Sequence, residues 1–477
     1  MTLPKTGSLP GGKLSLNTFW VLALPALFWG LILLLPQSLN WEARATLAVT
    51  VCAILLWALE VIPFGLTAML TAVVLMWLKA VPTAIIFSGF ASPAVFLVIS
   101  GMMMAAAVNE TPLGKRMTYN ILARTGGSTR GIILGLILIL QIQAFIIPAT
   151  AVRVALLLPL ALYLIELLEA RPGSNLRRLI LLAVAFGGNI SGTAVLPSAI
   201  GNIITVELIY TYLGRQISYT DWLLYTLPLW IMIIPAVWLV LLKVYPPEKD
   251  SFPHLGEAMN QKIVELGLVG PAEKRCIAIL GLTVVLWLLE PLHGLHPTIP
   301  AMLAVVLLTL PGLGVTSFDK VVQINYHTVL VLGITLSLGN ALNQTGAITY
   351  LGNLMNTDWV ISVLQNPLWA VGAVVIATQI YHLAVTNVAT TVVTFIPIVI
   401  TLAMSAGVDP APLAFAAGLT SLFGFLLIVE TLPNMLAHST GLISQREFLI
   451  PGFWATIAVI CCTLLVAATW WKWLGLI

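Results

Sequence analysis

The sequence predicts an all-α polytopic membrane protein of about 11 transmembrane helices plus two re-entrant hairpins, arranged as two inverted repeats. Three observations lead there. The chain is 60% hydrophobic and 8% charged, with a mean hydropathy of +1.04, whereas soluble domains run near 25% charged. Apolar segments long enough to cross roughly 30 Å of hydrocarbon recur from end to end, among them 19–35, 45–62, 93–108, 222–242, 277–292 and 453–470. The text also repeats itself. Leu56-Trp57-Ala58-Leu59-Glu60 returns as Leu286-Trp287-Leu288-Leu289-Glu290, Ala68-Met69-Leu70 as Ala301-Met302-Leu303, and Asn109-Glu110-Thr111 as Asn343-Gln344-Thr345. A bilayer offers backbone groups no water, so the spanning segments are helices; a barrel would show weak alternation instead.

In chain order, the tail and a leading helix near 17–36 make up 1–44. That helix has no small-residue cleavage site and is followed by more helices, so it reads as an anchor and not a cleaved signal peptide. The first repeat, 45–243, holds helices near 45–61, 64–79 and 92–108, a hairpin near 131–168, a broken helix near 177–213 and a helix near 221–243. Residues 244–274, with Pro246-Pro247 and alternating charges, read as a cytoplasmic linker. The second repeat, 275–477, holds helices near 275–292, 298–312 and 326–342, a hairpin near 367–406, a broken helix near 410–440 and a last helix near 450–473.

Charge sets the orientation. With a cytoplasmic N-terminus, sixteen of the 21 Lys and Arg fall on inner segments, four on outer ones, and Arg153 inside the first hairpin. That bias follows the positive-inside rule. An odd number of crossings separates the hairpins, so they enter from opposite faces. Cys52, Cys276, Cys461 and Cys462 stand at no ligand spacing and give no disulfide or zinc signal. No motif of a membrane enzyme occurs, so no catalytic residue and no cofactor is expected, and a net charge of +3 carries no message about nucleic acid.

The chemistry lies where apolar segments are interrupted. The first hairpin reads Ile146-Ile147-Pro148-Ala149-Thr150-Ala151-Val152-Arg153, the second His382-Leu383-Ala384-Val385-Thr386-Asn387-Val388-Ala389-Thr390-Thr391. Matching Pro159 to Pro397 sets Ala149-Thr150-Ala151 against Asn387-Val388-Ala389. The broken helices carry Gly187-Gly188-Asn189-Ile190-Ser191-Gly192-Thr193 before Pro197-Ser198, and Glu430-Thr431-Leu432 before Pro433-Asn434. Such runs cannot sustain a straight helix. A half-helix restarting at mid-membrane points its positive end at an anion, and freed carbonyls suit Na⁺.

This layout resembles the divalent-anion:sodium symporter family, carriers of di- and tricarboxylates or sulfate, across nearly the whole chain after the first helix. Thr431-Leu432-Pro433-Asn434 and Gly192-Thr193 match the family's breaks, and Val108 to Arg116 resembles the amphipathic stretch before its first hairpin. The hairpin tips depart: the family's Ser-Asn-Thr has become Ala149-Thr150-Ala151 and Thr386-Asn387-Val388. Arg153 just after the first tip resembles the plastidic 2-oxoglutarate/malate and bacterial citrate/succinate exchanger branch. By this resemblance Thr150, Ala151, Arg153, Thr193, Asn387, Val388 and Thr431 bind substrate. Ala149, Asn189, Gly192, Thr386 and Asn387 hold the cation, with Na⁺ as coupling ion. Glu430, where the family usually has a small residue, is a further cation candidate read from its own charge.

The expected function is secondary active transport of C4/C5 dicarboxylates such as malate, succinate or 2-oxoglutarate, by Na⁺ symport or anion exchange, with an elevator-type motion. Alternatives are a sulfate carrier, and a cation/proton antiporter or oxyanion efflux permease of similar fold. The expected setting is a bacterial inner membrane and a homodimer. An arginine unpaired at the bilayer centre costs at least about 2.5 to 3.5 kcal/mol, so Arg153 is expected to face a cavity or a carboxylate. Glu430 is expected to complete a cation site, carry a proton or pair with Arg153. Glu60 and Glu290 read as interfacial anchors or helix caps, and His382 as a satisfied interior histidine.

Overall fold

A computed structural model describes residues 16–59, 62–355, 357–385 and 387–477. The expectations for Glu60 and Thr386 therefore lie outside the described residues. No strand occurs among the described residues, and the element order recurs twice. After α1 (Leu16–Leu34) come α2 (Trp41–Ala58), α3 (Phe64–Trp77), α4 (Thr83–Ser88) and α5 (Pro93–Asn109). An amphipathic α6 (Leu113–Ala123) leads into a hairpin, α7 (Thr129–Gln143) and α8 (Thr150–Leu167). A broken helix, α9 (Asn175–Ile190) and α10 (Ile200–Leu213), and then α11 (Tyr219–Val244) complete the first run.

The linker contains α12 (Leu255–Glu265). The second run is α13 (Pro271–Leu288), α14 (Glu290–His293), α15 (Thr298–Thr309), α16 (Phe318–Val321), α17 (Tyr326–Gln344), α18 (Ala347–Met355) and α19 (Asp358–Leu364). A second hairpin, α20 (Pro367–Ala384) and α21 (Val388–Ser405), a second broken helix, α22 (Pro410–Thr420) and α23 (Leu432–Ser439), and α24 (Gln445–Val466) follow.

The doubled sequence performs the same local task twice. The Trp57 indole donates to the Phe64 carbonyl at 3.2 Å and the Trp287 indole to Pro297 at 2.9 Å. Each ties the end of its helix to the chain entering α3 or α15. Ala68 and Ala301 are buried while Met69 and Met302 beside them are exposed. Small residues thus allow close helix contact and the bulky neighbours are left for lipid. Glu290 is a helix cap, its Oε2 accepting the Tyr219 N–H at 2.6 Å where α11 begins.

By length and composition α8, α11, α20, α21 and α24 with the π-turn that follows it can each cross a membrane, as can α4 and α5 taken together through their 42° bend. Three of these are hairpin arms, so length alone does not separate a crossing from a re-entrant arm. Among the described residues there are three apolar cores, the smallest joining α2 to α17 and α18 through Ala43, Leu47, Leu342 and Ala347. A large one joins both hairpins and both broken helices to α5, α11, α13, α15 and α24, and a separate one joins α2, α3 and α4 to α17.

The linker is more ordered than its composition predicts. Helix α12 packs on α6 and buries Leu255 and Met259. The Phe252 N–H donates to Gly127 at 2.7 Å and the Thr129 N–H to Asp250 at 2.8 Å, at the foot of the first hairpin. Gly127, at φ +70°, permits that approach: a Cβ there would lie 2.3 Å from the Phe252 carbonyl oxygen. Arg116 on α6 grips the buried carboxylate of Glu273 on α13 at 2.7 and 3.2 Å.

Candidate functional site

Both hairpins turn in the same way. Helix α7 stops at Gln143, Pro148 supplies no N–H, and extended Ala149 (φ −140°, ψ 110°) precedes α8. Extended Asn387 (φ −135°, ψ 125°) precedes α21. The breaks also agree. Ala199 (φ −140°, ψ 137°) starts α10 and Thr431 (φ −141°, ψ 151°) starts α23, each after a three-residue 3₁₀ turn, Leu196–Ser198 and Ile428–Glu430. The third residue of each half-helix is an asparagine that closes its own break. Asn202 Nδ2 donates to Gly192 at 2.7 Å and Val195 at 3.2 Å; Asn434 Nδ2 donates to Gly424 at 3.0 Å and Leu427 at 2.9 Å. Carbonyls freed inside a membrane require such donors.

The repeats differ in how they treat the four half-helix N-termini at the tips and breaks. Asn387 Oδ1 accepts from the amides of Ala389 and Thr390, at 2.9 and 3.3 Å, and Thr431 Oγ1 from Asn434 N at 3.4 Å. Ala149 and Ala199 offer no side-chain cap. These uncapped ends adjoin each other: Thr150 Oγ1, at the start of α8, donates to the Ser198 carbonyl at 3.2 Å, just before α10.

Arg153 sits behind them, fully buried. Its Nη1 donates to the carbonyls of Ile147 (2.6 Å) and Ser198 (3.0 Å), and its Nη2 to Thr150 Oγ1 (3.1 Å) and Ser191 Oγ (2.8 Å). No carboxylate is among its hydrogen-bond partners. Four neutral oxygens surround it, and among the described residues no ion pair includes it. Glu430 does not pair with it either. The Glu430 carboxylate turns back onto its own break, Oε2 accepting the Leu426 N–H at 2.9 Å.

The other candidates divide into two groups. Thr150, Ala151, Asn387 and Val388, like Ala149, keep partial exposure at the tips. Asn189, Gly192, Thr193, Glu430 and Thr431 are buried in the breaks. Asn189 Nδ2 spans the two breaks, donating to Gly424 O at 2.6 Å and Asn434 Oδ1 at 3.0 Å, while its Oδ1 has no partner among the described residues. The Gly192 carbonyl already receives Asn202 and, at 3.3 Å, Ser198 Oγ. Thr193 is occupied as well, its hydroxyl donating to Ile190 O and its carbonyl receiving the Trp222 indole. His382 is buried, and neither ring nitrogen has a hydrogen-bond partner among the described residues.

Sequence reading missed Ser191 and Ser198 as partners of Arg153, and Asn202 and Asn434 as closures of the breaks. The signal for Asn202 was the 232-residue shift that carries it onto Asn434 and Gly192 onto Gly424. Val388 lies against α10 at Gly201, where a Cβ would stand 2.8 Å from Val388 Cγ1. That contact brings the second tip to the first break.

Comparison with known proteins finds similarity over nearly the whole chain. Residues 16–477 match the family described as Sodium:sulfate symporter transmembrane region. The chain belongs to that family, the divalent-anion:sodium symporters. A membrane protein of Cupriavidus necator is 26% identical, covering 98% of this chain and 94% of its own. The sodium-dependent dicarboxylate transporter SdcS of Staphylococcus aureus is 25% identical, over 88% of this chain and 85% of its own. The sodium-dependent high-affinity dicarboxylate transporter 3 of Caenorhabditis elegans is also 25% identical, over 93% and 85%. In fold the chain is similar to the Alcanivorax borkumensis YdaH transporter, with a TM-score of 0.52 at 13% identity, covering 91% of this chain and 99% of that one. This member of the symporter family is a multi-pass membrane transporter and not an enzyme.

Proposed function

We propose that this transporter carries small organic dianions, C4/C5 dicarboxylates, and does so by exchange. One observation carries the reading: two uncapped half-helix N-termini, α8 and α10, meet beside a buried guanidinium that no carboxylate neutralises. Helix N-termini attract anions through free amides and the macrodipole. With Arg153 behind them, the first tip carries an excess of positive charge that a carboxylate of the substrate completes. Thr150 and Ala151 on one side and Asn387 and Val388 on the other are the accessible residues that would line it. The names of the relatives support the substrate class.

Exchange is supported by the partners of Arg153. Two carbonyls and two hydroxyls form the hard-oxygen set a monovalent cation takes, and here a covalently attached cation fills it. Hairpin and broken helix are then held together without a bound ion, and transport at this site needs no sodium. A second reading, sodium symport, is favoured by the sodium-dependent relatives and by the second break. There the unpartnered Oδ1 of Asn189 and the carboxylate of Glu430 would hold the ion. In either case the hairpins and broken helices move as one unit against α2–α5 and α13–α17. The N-terminus is cytoplasmic, the chain divides at 1–44, 45–243, 244–274 and 275–477, and the protein acts as a homodimer in a bacterial inner membrane.

Counterflow in proteoliposomes tests both readings, using malate, succinate, 2-oxoglutarate, citrate and sulfate with and without Na⁺. Uptake that needs an internal dicarboxylate and ignores sodium is the expected result. Uptake that collapses without sodium would select symport. Competition by sulfate with indifference to every dicarboxylate would overturn the substrate class.

A further inference from the structure

Outside the tips and breaks, one carboxylate inside the membrane fold is unaccounted for. Glu207 lies midway along α10 and is half-buried. Its Oε1 accepts from Ser92 Oγ at 2.6 Å. Ser92 is the N-cap of α5, at the bend after α4, and its oxygen also accepts the Ala94 N–H at 3.1 Å. The hydroxyl is thus oriented, with its lone pair on the helix end and its proton on Glu207. Elsewhere α10 meets this side of the protein through close packing: a Cβ at Gly339 on α17 would lie 3.0 Å from the Tyr212 hydroxyl oxygen, which has no partner among the described residues. Beside Glu207 opens a cavity of about 160 Å³ lined by Ala94, Leu97, Ile203, Gln216 and His296, with no lysine or arginine in its wall.

We propose that the Ser92–Glu207 hydrogen bond is a latch that positions α10 against the α4–α5 bend, and that its release is a step of the transport cycle. The proposal rests on the reading that the hairpin-and-break unit moves against α2–α5. Apolar contacts between sliding helices re-form at many registers. A short charge-assisted bond holds only one, and a carboxylate in a membrane fold is retained where it has such a donor or faces a wet cavity. Glu207 has both: Ser92 holds it in this state, and the cavity receives it when Ser92 moves away. Glu207 is a positioning residue and does not touch substrate.

The test reads the latch directly. Ala94, in the cavity wall, is 2% exposed. In the full-length protein carrying Ala94→Cys, reconstituted in liposomes, labelling by a membrane-impermeant maleimide is followed at that residue by peptide mass spectrometry. Adding Ser92→Ala or Glu207→Ala should speed labelling by about tenfold, the weight of one hydrogen bond to a charged group. Glu207→Gln, whose amide oxygen accepts the same bond, should restore slow labelling. The alanine variants should also change turnover in counterflow while leaving the KM for substrate unaltered. Labelling within about twofold of the parent in both alanine variants would overturn the latch, as would a glutamine variant that labels as fast as alanine. Labelling needs no substrate, so a protein that exchanges no dicarboxylate would fail the functional proposal while the labelling result still decides the latch.

Discussion

Arg153 and Thr391 stand at the same place in the two hairpins, 238 residues apart, and each donates to the matching carbonyl. Arg153 Nη1 reaches Ile147 O at 2.6 Å and Thr391 Oγ1 reaches Val385 O at 3.2 Å. The threonine stops there, whereas the guanidinium continues to Ser191 and Ser198 and joins its hairpin to its broken helix. The next pair of equivalents reverses the pattern, with Ser198 in the first break and Glu430 in the second. One repeat therefore carries the fixed cation and the other the fixed anion.

Arg153→Thr makes the first hairpin like the second. Dicarboxylate counterflow should fall by at least about tenfold, the weight of one charged hydrogen bond. The uptake that remains should become sodium-stimulated, because four oxygens arranged for a cation have lost theirs. Arg153→Lys keeps the charge but not the planar fork, so it should fall between wild type and threonine. Undiminished, sodium-indifferent exchange in Arg153→Thr would remove the guanidinium from the mechanism.

The caps predict effects of opposite sign on stability and binding. Asn387→Ala removes a cap from α21 and should cost about 1 kcal/mol, read as a lower thermal midpoint in detergent. Ala149→Asn adds one to α8 and should stabilise by a similar amount. Yet it occupies the amides proposed for the substrate carboxylate, so its KM in counterflow should rise by about tenfold. A stabilised Ala149→Asn with unchanged KM would show that the substrate does not use that helix end.

The architecture was legible in the sequence because bilayers limit the choices. Pro148, Gly192 and Pro197 in the first repeat and Thr431-Leu432-Pro433 in the second interrupt apolar runs, so the hairpins and breaks were placed within a few residues of where they lie, although helix α9 runs on through Gly187-Gly188 and stops only at Ile190. The partners of Arg153 were not legible. Ser191 and Ser198 stand 38 and 45 residues away, and the other contacts are backbone carbonyls that have no sequence signature. Aligning the breaks by proline hid the equivalence of Asn202 and Asn434, because Pro197 lies in the 3₁₀ turn while Pro433 lies inside α23. The short amphipathic helix α12 was missed for want of a hydrophobic run long enough to register, and the start of α6 was marked only through the family-like stretch Val108 to Arg116.

Outside the membrane, Glu248 in the linker gives a pH-dependent prediction. Partial burial raises its pKa, but the amides of Asn175, Glu248 itself and Leu176 and the charge of Arg178 outweigh that and hold it below the usual carboxylate value. A depressed folded-state pKa adds stability that is present above the unfolded value, about 4.3 for a glutamate, and is lost as pH falls through the folded one. Glu248→Gln should therefore lower the thermal midpoint at pH 7, and the gap to wild type should close under acid conditions. A gap that is constant with pH would mean that the carboxylate charge contributes nothing to anchoring α9.

Asn189 and Asn434 are the direct side-chain bond between the two breaks, at 3.0 Å, and both also hold the Gly424 carbonyl. Removing either leaves part of the same buried set unsatisfied, so the second removal should cost less than the first. A double-mutant cycle of Asn189→Ala and Asn434→Ala, read from unfolding in detergent, should show a coupling of about 0.5–3 kcal/mol. Asn202→Ala supplies the contrast. It closes the first break on Gly192 and Val195 and shares no hydrogen-bond partner with Asn434. Its effect should add to that of Asn434→Ala within about 0.5 kcal/mol. Equal additivity in both cycles would mean that the breaks are closed independently, and that the second site does not feel the first through Asn189.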